Sequence, residues 1–138
     1  MSARVEAAGR LRQVARGIGA ITFATGAIQV VAPAFVLQRI GGERRPASVH
    51  LFGTIGFFMV VVGGLLARAT SRGDEGTTGD AAVVRPVVTW SVVQKIGATT
   101  AMTLGVVRGV FAPVALLVAL FDGASAAALI AYRSKLRP

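Results

Sequence analysis

Apolar residues fill four long stretches of the chain, and the segments between them hold most of the charges and the Gly and Pro residues. Each stretch has about 20 residues, the length that a helix needs to cross a hydrocarbon core of roughly 30 Å. No stretch shows the alternation typical of a strand. The pattern predicts an all-α fold, a four-helix bundle of transmembrane spans in antiparallel up-down hairpins, with spans at about 17–37, 50–67, 87–107 and 112–132 in a membrane domain of residues 17–133.

Breakers and polar segments set the predicted boundaries. Pro33 predicts a kink or an early stop near the end of the first span, because proline lacks the amide hydrogen that the helix uses. Residues 38–48 predict a loop, and residues 68–86 predict a hydrophilic cytoplasmic loop whose Gly, Thr and acidic content cannot form a core. Pro86 then opens the third span, where proline costs a helix little, and residues 134–138 form a basic tail.

Residues 1–16 mix arginines with apolar residues, which predicts a basic amphipathic helix at the membrane surface. A disordered tail is the alternative. A cleaved secretory signal is disfavoured, because the uncharged run over residues 17–38 is longer than the 7–15 residues of a signal core.

Composition supports a membrane protein and excludes several other classes. The 138 residues are 54% hydrophobic and only 15% charged, which leaves no room for a soluble catalytic module. The net charge of +9 does not indicate nucleic acid, because Lys and Arg flank the spans instead of forming one face, and anionic lipid headgroups are the expected partner. The chain has no cysteine, so disulfides and thiolate metal sites are excluded.

The distribution of basic residues predicts the orientation. Cytoplasmic flanks of membrane spans carry an excess of Lys and Arg, so both termini should lie in the cytoplasm. The basic residues on the side of the termini are Arg4, Arg10, Arg12, Arg16, Arg68, Arg72, Arg85, Arg133, Lys135 and Arg137. Those on the other side are Arg39, Arg44, Arg45 and Arg108.

Two charges lie inside apolar sequence in the last hairpin. Lys95 is 13 positions before Arg108, and Asp122 is 13 positions after Gly109, so an antiparallel hairpin brings both to nearly the same depth. An isolated charge at that depth costs at least ~2.5–3.5 kcal/mol, so we predict a buried ion pair. The pair either fixes the register of two helices or serves as a proton relay or polar binding pocket; in a third alternative, one charge faces a partner subunit.

Further polar residues extend this site, since Ser91, Lys95, Thr99 and Thr103 recur every four residues on one helix. The predicted polar core comprises Lys95, Asp122, Ser91, Gln94, Thr99, Thr103, Ser125 and Gln29. Small residues allow close approach of helices in lipid. The predicted helix-packing residues are Gly53, Gly56, Ala115, Ala119, Gly123 and Ala127.

The remaining candidates are single residues near predicted membrane boundaries. Trp90 and Tyr132 are predicted interface anchors rather than stacking platforms for a ligand. His50 is predicted to be solvated at the outer surface, because a metal site needs several converging ligands. No metal, cofactor or catalytic set is predicted, although a quinone or another lipid-soluble ligand fits the alternative use of the pair.

Several of these features together resemble the DoxX-like group of small four-helix bacterial membrane proteins. The resemblance covers most of residues 10–133 and rests on a basic residue before span 1, Gly26 followed by Pro33, the Phe52-Gly53 entry to span 2, Lys95 in span 3 and Asp122 in span 4. It implies a bacterial inner membrane location. Some members resemble membrane subunits of quinone-linked oxidoreductases, but no catalytic residue carries over.

These observations favour an accessory or structural subunit of a larger membrane complex, or a homo-oligomer, in which Lys95 and Asp122 fix the last hairpin. The alternative is a small proton-coupled carrier, or a membrane protein that binds a quinone or another small ligand through the same two residues.

Overall fold

A computed structural model of the protein describes residues 2–71 and 78–136, with side chains for residues 6–71 and 82–136. The predicted all-α class is confirmed, since every regular element in these ranges is helical. Residue 1, residues 72–77 of the predicted loop and residues 137–138 of the predicted tail lie outside the described residues. The elements are α1 (Ser2–Val31), α2 (Pro33–Arg39), α3 (Pro46–Ser71), α4 (Thr78–Val107), a 3₁₀ turn (Pro113–Ala115) and α5 (Leu116–Arg133).

Three helical stretches of the described chain are long and apolar enough to cross a membrane: Glu6–Val31, Pro46–Ser71 and Pro113–Arg133. They identify the chain as a candidate membrane protein. Helix α4 is equally long but is not among them. Its sequence includes Gln94, Lys95 and several threonines, which lower its hydropathy.

Some helix boundaries differ from the predicted ones. Helix α1 runs without a break from Ser2 to Val31, so residues 2–16 and residues 17–31 of the first predicted span form one helix. Helix α3 reaches Ser71 and α4 begins at Thr78, both within the predicted loop 68–86. Pro86 consequently lies inside α4 instead of opening it. The physical reason is burial, because Val84 and Val88 on either side of the proline are buried in the core and hold this stretch against its neighbours.

Pro33 interrupts the first helix as its chemistry predicts. Helix α1 ends at Val31, Ala32 has φ −134° and ψ 57°, and Pro33 is the first residue of α2. A proline tolerates this position because the first amides of a helix have no partner in the helix.

The four long helices pack as a ring. The most extensive contacts join α1 to α3 and α4 to α5, and smaller contacts between α1 and α5 and between α3 and α4 close the ring. In the diagonal pairs, α1 with α4 and α3 with α5, no two Cα atoms of the described ranges lie within 8 Å of each other. Helices α1 and α3 are antiparallel, since Gln29 bonds to Phe52 whereas Gly19 lies against Ala67. Helices α4 and α5 are also antiparallel, since Thr99 bonds to Ala119 whereas Thr89 bonds to Arg133.

Glycines line the contact between α1 and α3. A methyl group at Gly26 would lie 2.6 Å from the carbonyl oxygen of Gly56, and one at Gly63 would lie 2.5 Å from the amide nitrogen of Phe23. Both distances are shorter than van der Waals contact, so only glycine lets the two backbones approach this closely. Gly56 therefore packs as predicted, whereas a methyl at Gly53 would meet Pro33 at an ordinary 3.7 Å.

Two apolar clusters of buried residues lie at opposite ends of the ring. The cluster near the chain termini joins all four long helices and comprises Ala15, Ile18, Leu66, Val84, Val88, Leu129 and Tyr132. The cluster at the other end is built on Leu37, Ile40 and Ala115, with Phe111 packed against it. At this second end, the two connecting turns also meet, because the amide of Ala112 donates to the carbonyl oxygen of Ile40 over 2.9 Å.

Candidate functional site

The structure brings Lys95 and Asp122 into direct contact. The ammonium Nζ of Lys95 donates to Oδ1 of Asp122 over 2.5 Å, and only 3% and 8% of the two side chains are exposed. The same Nζ lies 5.0 Å from the centroid of the Phe121 ring, which is within reach of a cation–π interaction. The two opposite charges therefore neutralise each other inside the protein.

Heptad spacing explains why these charges meet in the interior. Lys95 is seven residues beyond Val88 on α4, and Asp122 is seven residues before Leu129 on α5. Val88 and Leu129 pack in the same apolar cluster, and seven residues are two helical turns, or about 10 Å along the axis. Both charged residues therefore lie about two turns from that cluster, on the faces that point inward.

Thr22 lies at the same depth, by the same spacing of seven residues from the apolar cluster. It is seven residues beyond Ala15, which is a member of that cluster, and only 2% of it is exposed. We call Thr22, Lys95 and Asp122 the polar layer. Ser91 and Ser125, both buried, lie between this layer and the apolar cluster.

Hydroxyl groups beside the polar layer bond to helix carbonyls. Ser91 Oγ donates to the carbonyl of Val87 over 2.9 Å. Thr99 Oγ1 lies 2.9 Å from the carbonyl oxygen of Lys95 on its own helix and 3.3 Å from that of Ala119 on the neighbouring helix. Thr99 thus adds a second polar link between α4 and α5, one turn from the ion pair.

Two buried oxygens in this region have no hydrogen-bond partner among the described residues, Oγ1 of Thr22 and Oε1 of Gln94. Unpaired buried oxygens are uncommon because each one loses its hydration without replacement. These two atoms could accept a hydrogen bond from a ligand or a water molecule. Thr22 was not among the candidates from the sequence, although its spacing from Ala15 and Gln29, both buried, was a signal for it.

Gln29 lies apart from the ion pair. Its Nε2 donates to the carbonyl oxygen of Phe52 over 2.8 Å, so it links α1 to α3. It is seven residues beyond Thr22, about 10 Å further along α1. Gln29 and Lys95 were predicted to share one polar core because both are polar and lie inside predicted spans, but these two properties do not specify the helix face.

Two of the residues that recur at intervals of four on α4 and α5 do not lie in the interior. Thr103 and Ala127 are both exposed within this chain, whereas Ala115 and Ala119 are buried and Gly123 is half-buried. A helix repeats every 3.6 residues, so a ladder with a spacing of four rotates by roughly 40° at each step. After three steps it faces another direction.

The two predicted interface anchors differ in their surroundings. Trp90 is 69% exposed, so its ring is free to meet lipid. Tyr132 is buried with Leu129 in the apolar cluster and is only 5% exposed, so its prediction as an interface anchor is corrected. It lies near the end of α5, where the extended α1 covers it instead of lipid.

His50 is exposed near the start of α3, beside a shallow groove that it lines with Pro33 and Gly53. The part of the chain with described side chains contains no group of three His, Asp or Glu residues arranged to hold a metal ion.

Comparison with known proteins gives no relative: no family model, no curated protein and no solved structure matches this chain.

Proposed function

We propose that the protein is a four-span protein of a bacterial cytoplasmic membrane, similar to the DoxX-like group, with both termini in the cytoplasm. It acts as an accessory or structural subunit of a larger membrane complex or of a homo-oligomer. The observation that carries the structural role is the closed contact between Lys95 and Asp122, since each charge is used to neutralise the other. Such a pair specifies which faces of α4 and α5 meet.

Pairing with Asp122 supports α4 as a span in addition to the three apolar helices, and it would be the third along the chain. Lys95 lowers the hydropathy of this helix, but α4 packs between α3 and α5 and has 30 residues, enough to cross a bilayer. Paired with Asp122, Lys95 adds no net charge to the hydrocarbon region. The basic flanks support the orientation, since Arg10, Arg16 and Lys135 are exposed near the chain termini.

The exposed face of α4 supports a partner subunit. A methyl group at Gly97 would meet nothing within 4 Å, and Ala101, one turn further along, is also exposed. Small residues on the surface of a span leave room for the backbone of a neighbouring helix. A protein that runs as a lone monomer in mild detergent, with nothing recovered alongside it from native membranes, would contradict this role.

A double-mutant cycle tests the structural role of the pair. We expect Lys95→Met and Asp122→Asn each to lower the free energy of unfolding by about 3–5 kcal/mol, because each leaves one buried charge without its partner. The double variant Lys95→Met/Asp122→Asn should recover most of that loss. Unfolding in mixed micelles with increasing denaturing detergent measures the difference, and single variants as stable as the parent protein would contradict the structural role.

A small proton-coupled carrier, or a protein that binds a quinone or small ligand, is the second candidate. The observation that favours it is the pair of buried oxygens without a partner among the described residues: that of Thr22, in the polar layer, and that of Gln94, next to Lys95 in the sequence. In that case the double variant folds but remains inactive. Proton flux into liposomes that contain the protein, measured with a pH-sensitive dye, separates the two functions.

A further inference from the structure

A groove of about 500 Å³ runs along the outer surface between α4 and α5. Its α5 side is formed by Leu116, Leu120, Gly123 and Ala124, and its α4 side by Thr99 and Thr103. The groove is shallow and open, and the small side chains of Gly123 and Ala124 leave room in it.

The groove presents an apolar surface despite its two threonines. Thr99 Oγ1 bonds to the carbonyl oxygen of Lys95, and Thr103 Oγ1 bonds to that of Thr99 over 2.8 Å. Both hydroxyls are thus occupied by their own helix, so they offer no unused donor to an occupant. An occupant that matches this lining is a hydrocarbon chain.

A fixed positive charge lies on the same pair of helices, towards the chain termini. Arg133 is 14 residues beyond Ala119 on α5, and Thr89 is 14 residues before Thr103 on α4. Ala119 and Thr103 both line the groove. Fourteen residues are two heptads, which is close to four helical turns or about 21 Å, so Arg133 and the groove lie on nearly the same side of the helix pair.

The side chain of Arg133 is held in place by that neighbouring helix. Its Nε donates to Oγ1 of Thr89 over 2.8 Å, and the residue is otherwise exposed. A guanidinium group has five N–H donors, and those on its two terminal nitrogens match the oxygens of a phosphate. Trp90 follows Thr89 and is largely exposed, as is typical of residues at the headgroup level.

We propose that this surface binds one anionic phospholipid, whose phosphate is held by Arg133 and one of whose acyl chains lies in the groove between α4 and α5. Charge complementarity argues for this occupant, because Arg133, the exposed cation that links α5 to α4 through Thr89, lies at the end where headgroups meet the proposed spans. The inference rests on the proposed membrane topology. Extraction of membranes at alkaline pH distinguishes a failure of the topology from a failure of the lipid site. Release of the protein contradicts the topology, whereas a retained protein is then tested for lipid binding.

The test is native mass spectrometry of the delipidated protein with phosphatidylglycerol or phosphatidylcholine of identical chains. The parent protein should bind phosphatidylglycerol more tightly. Arg133→Gln should reduce this preference about fivefold, as expected for one cation near anionic headgroups. Lys135→Gln is the matched control, since it removes an exposed charge two residues away and should change the preference less than twofold.

The part of the site that binds the acyl chain is tested with substitutions on α5. Ala124→Phe fills the groove and should weaken the binding of both lipids, whereas Ala127→Phe adds the same bulk to an exposed alanine that does not line it. Thermal unfolding confirms that each variant is folded. Equal effects of Arg133→Gln and Lys135→Gln would overturn the headgroup assignment. Unchanged lipid binding by Ala124→Phe would overturn the groove assignment. If Ala124→Phe instead abolished self-association of the protein, the occupant of the groove would be a second copy of the chain.

Discussion

The pair α1–α3 and the pair α4–α5 are held together by different chemistry. Between α1 and α3 the contact is backbone on backbone, with Gly26 facing Gly56 and Gly63 facing Phe23. Between α4 and α5 the contact is made by side chains, above all by Lys95 and Asp122. The first pair depends mainly on glycines, with Gln29 as a side-chain link, and the second depends mainly on two charged groups.

The difference shows two ways to specify helix contacts in lipid. Apolar side chains gain little from meeting each other there, because the lipid tails are equally apolar. Close packing at glycines adds dispersion contacts along the whole length of the helix pair. Each substitution there should therefore remove only part of the stability. An ion pair concentrates the specificity at one point, so its loss should be abrupt. The two pairs therefore predict different sensitivities to substitution.

The largest effect should come from charge reversal in the α4–α5 pair. Asp122→Lys places two ammonium groups together in the interior, which should cost at least the ~3–5 kcal/mol of an unpaired buried charge. We expect the variant not to accumulate as a folded protein, as judged by size-exclusion chromatography of membranes solubilised in detergent. The swapped variant Lys95→Asp/Asp122→Lys should restore part of the folded peak. A folded Asp122→Lys variant would show that the charge at this position reaches water.

An intermediate effect should follow from one added methyl group between α1 and α3. Gly63→Ala would place its Cβ 2.5 Å from the amide nitrogen of Phe23, so the helices must separate. Overpacking of this kind costs roughly 1–3 kcal/mol. Gly17→Ala, on α1 and with nothing within 4 Å, is the control and should raise stability by up to about 1 kcal/mol, because alanine favours a helix. Equal behaviour of the two variants in thermal unfolding would mean that the glycine contact does not hold the pair.

The smallest effect should come from the second polar link between α4 and α5. Thr99→Val removes the hydroxyl that reaches the carbonyl oxygen of Ala119, and single links of this type average ~0.6 kcal/mol in membrane proteins. Thr100→Val removes a hydroxyl bonded only within its own helix and should change stability less. If Thr99→Val lowered the free energy of unfolding as much as breaking the ion pair does, the specificity would be spread along the whole contact between α4 and α5.

The sequence predicted the all-α class and the contact partners of the last hairpin. Charges are rare in apolar sequence, and equal distances of Lys95 and Asp122 from one turn suffice to bring them to one depth. Pro33 was informative for the same reason, since its chemical effect on a helix is local.

Helix rotation was predicted less well. In a membrane span both faces are apolar, so hydrophobicity does not mark the buried face of α5. Tyr132 was consequently assigned to the lipid interface although α1 covers it, and Ala127 was assigned to a contact although it is exposed. The length of α1 also depended on tertiary packing, because Ala15 joins the apolar cluster and continues the helix through the predicted boundary.

The separation of Lys95 and Asp122 along the chain also has a consequence for biosynthesis. Asp122 follows Lys95 by 27 residues, and ribosomes add about 5–20 residues each second, so the lysine waits roughly 1–5 s for its partner. During that interval α4 carries an uncompensated charge and lacks the hydropathy of the other three long helices. We expect α4 and α5 to enter the bilayer together as a hairpin. A truncated chain that ends before α5 and has been released from the ribosome should therefore leave Lys95 open to a water-soluble amine reagent, and protection of Lys95 in that chain would show that α4 enters alone.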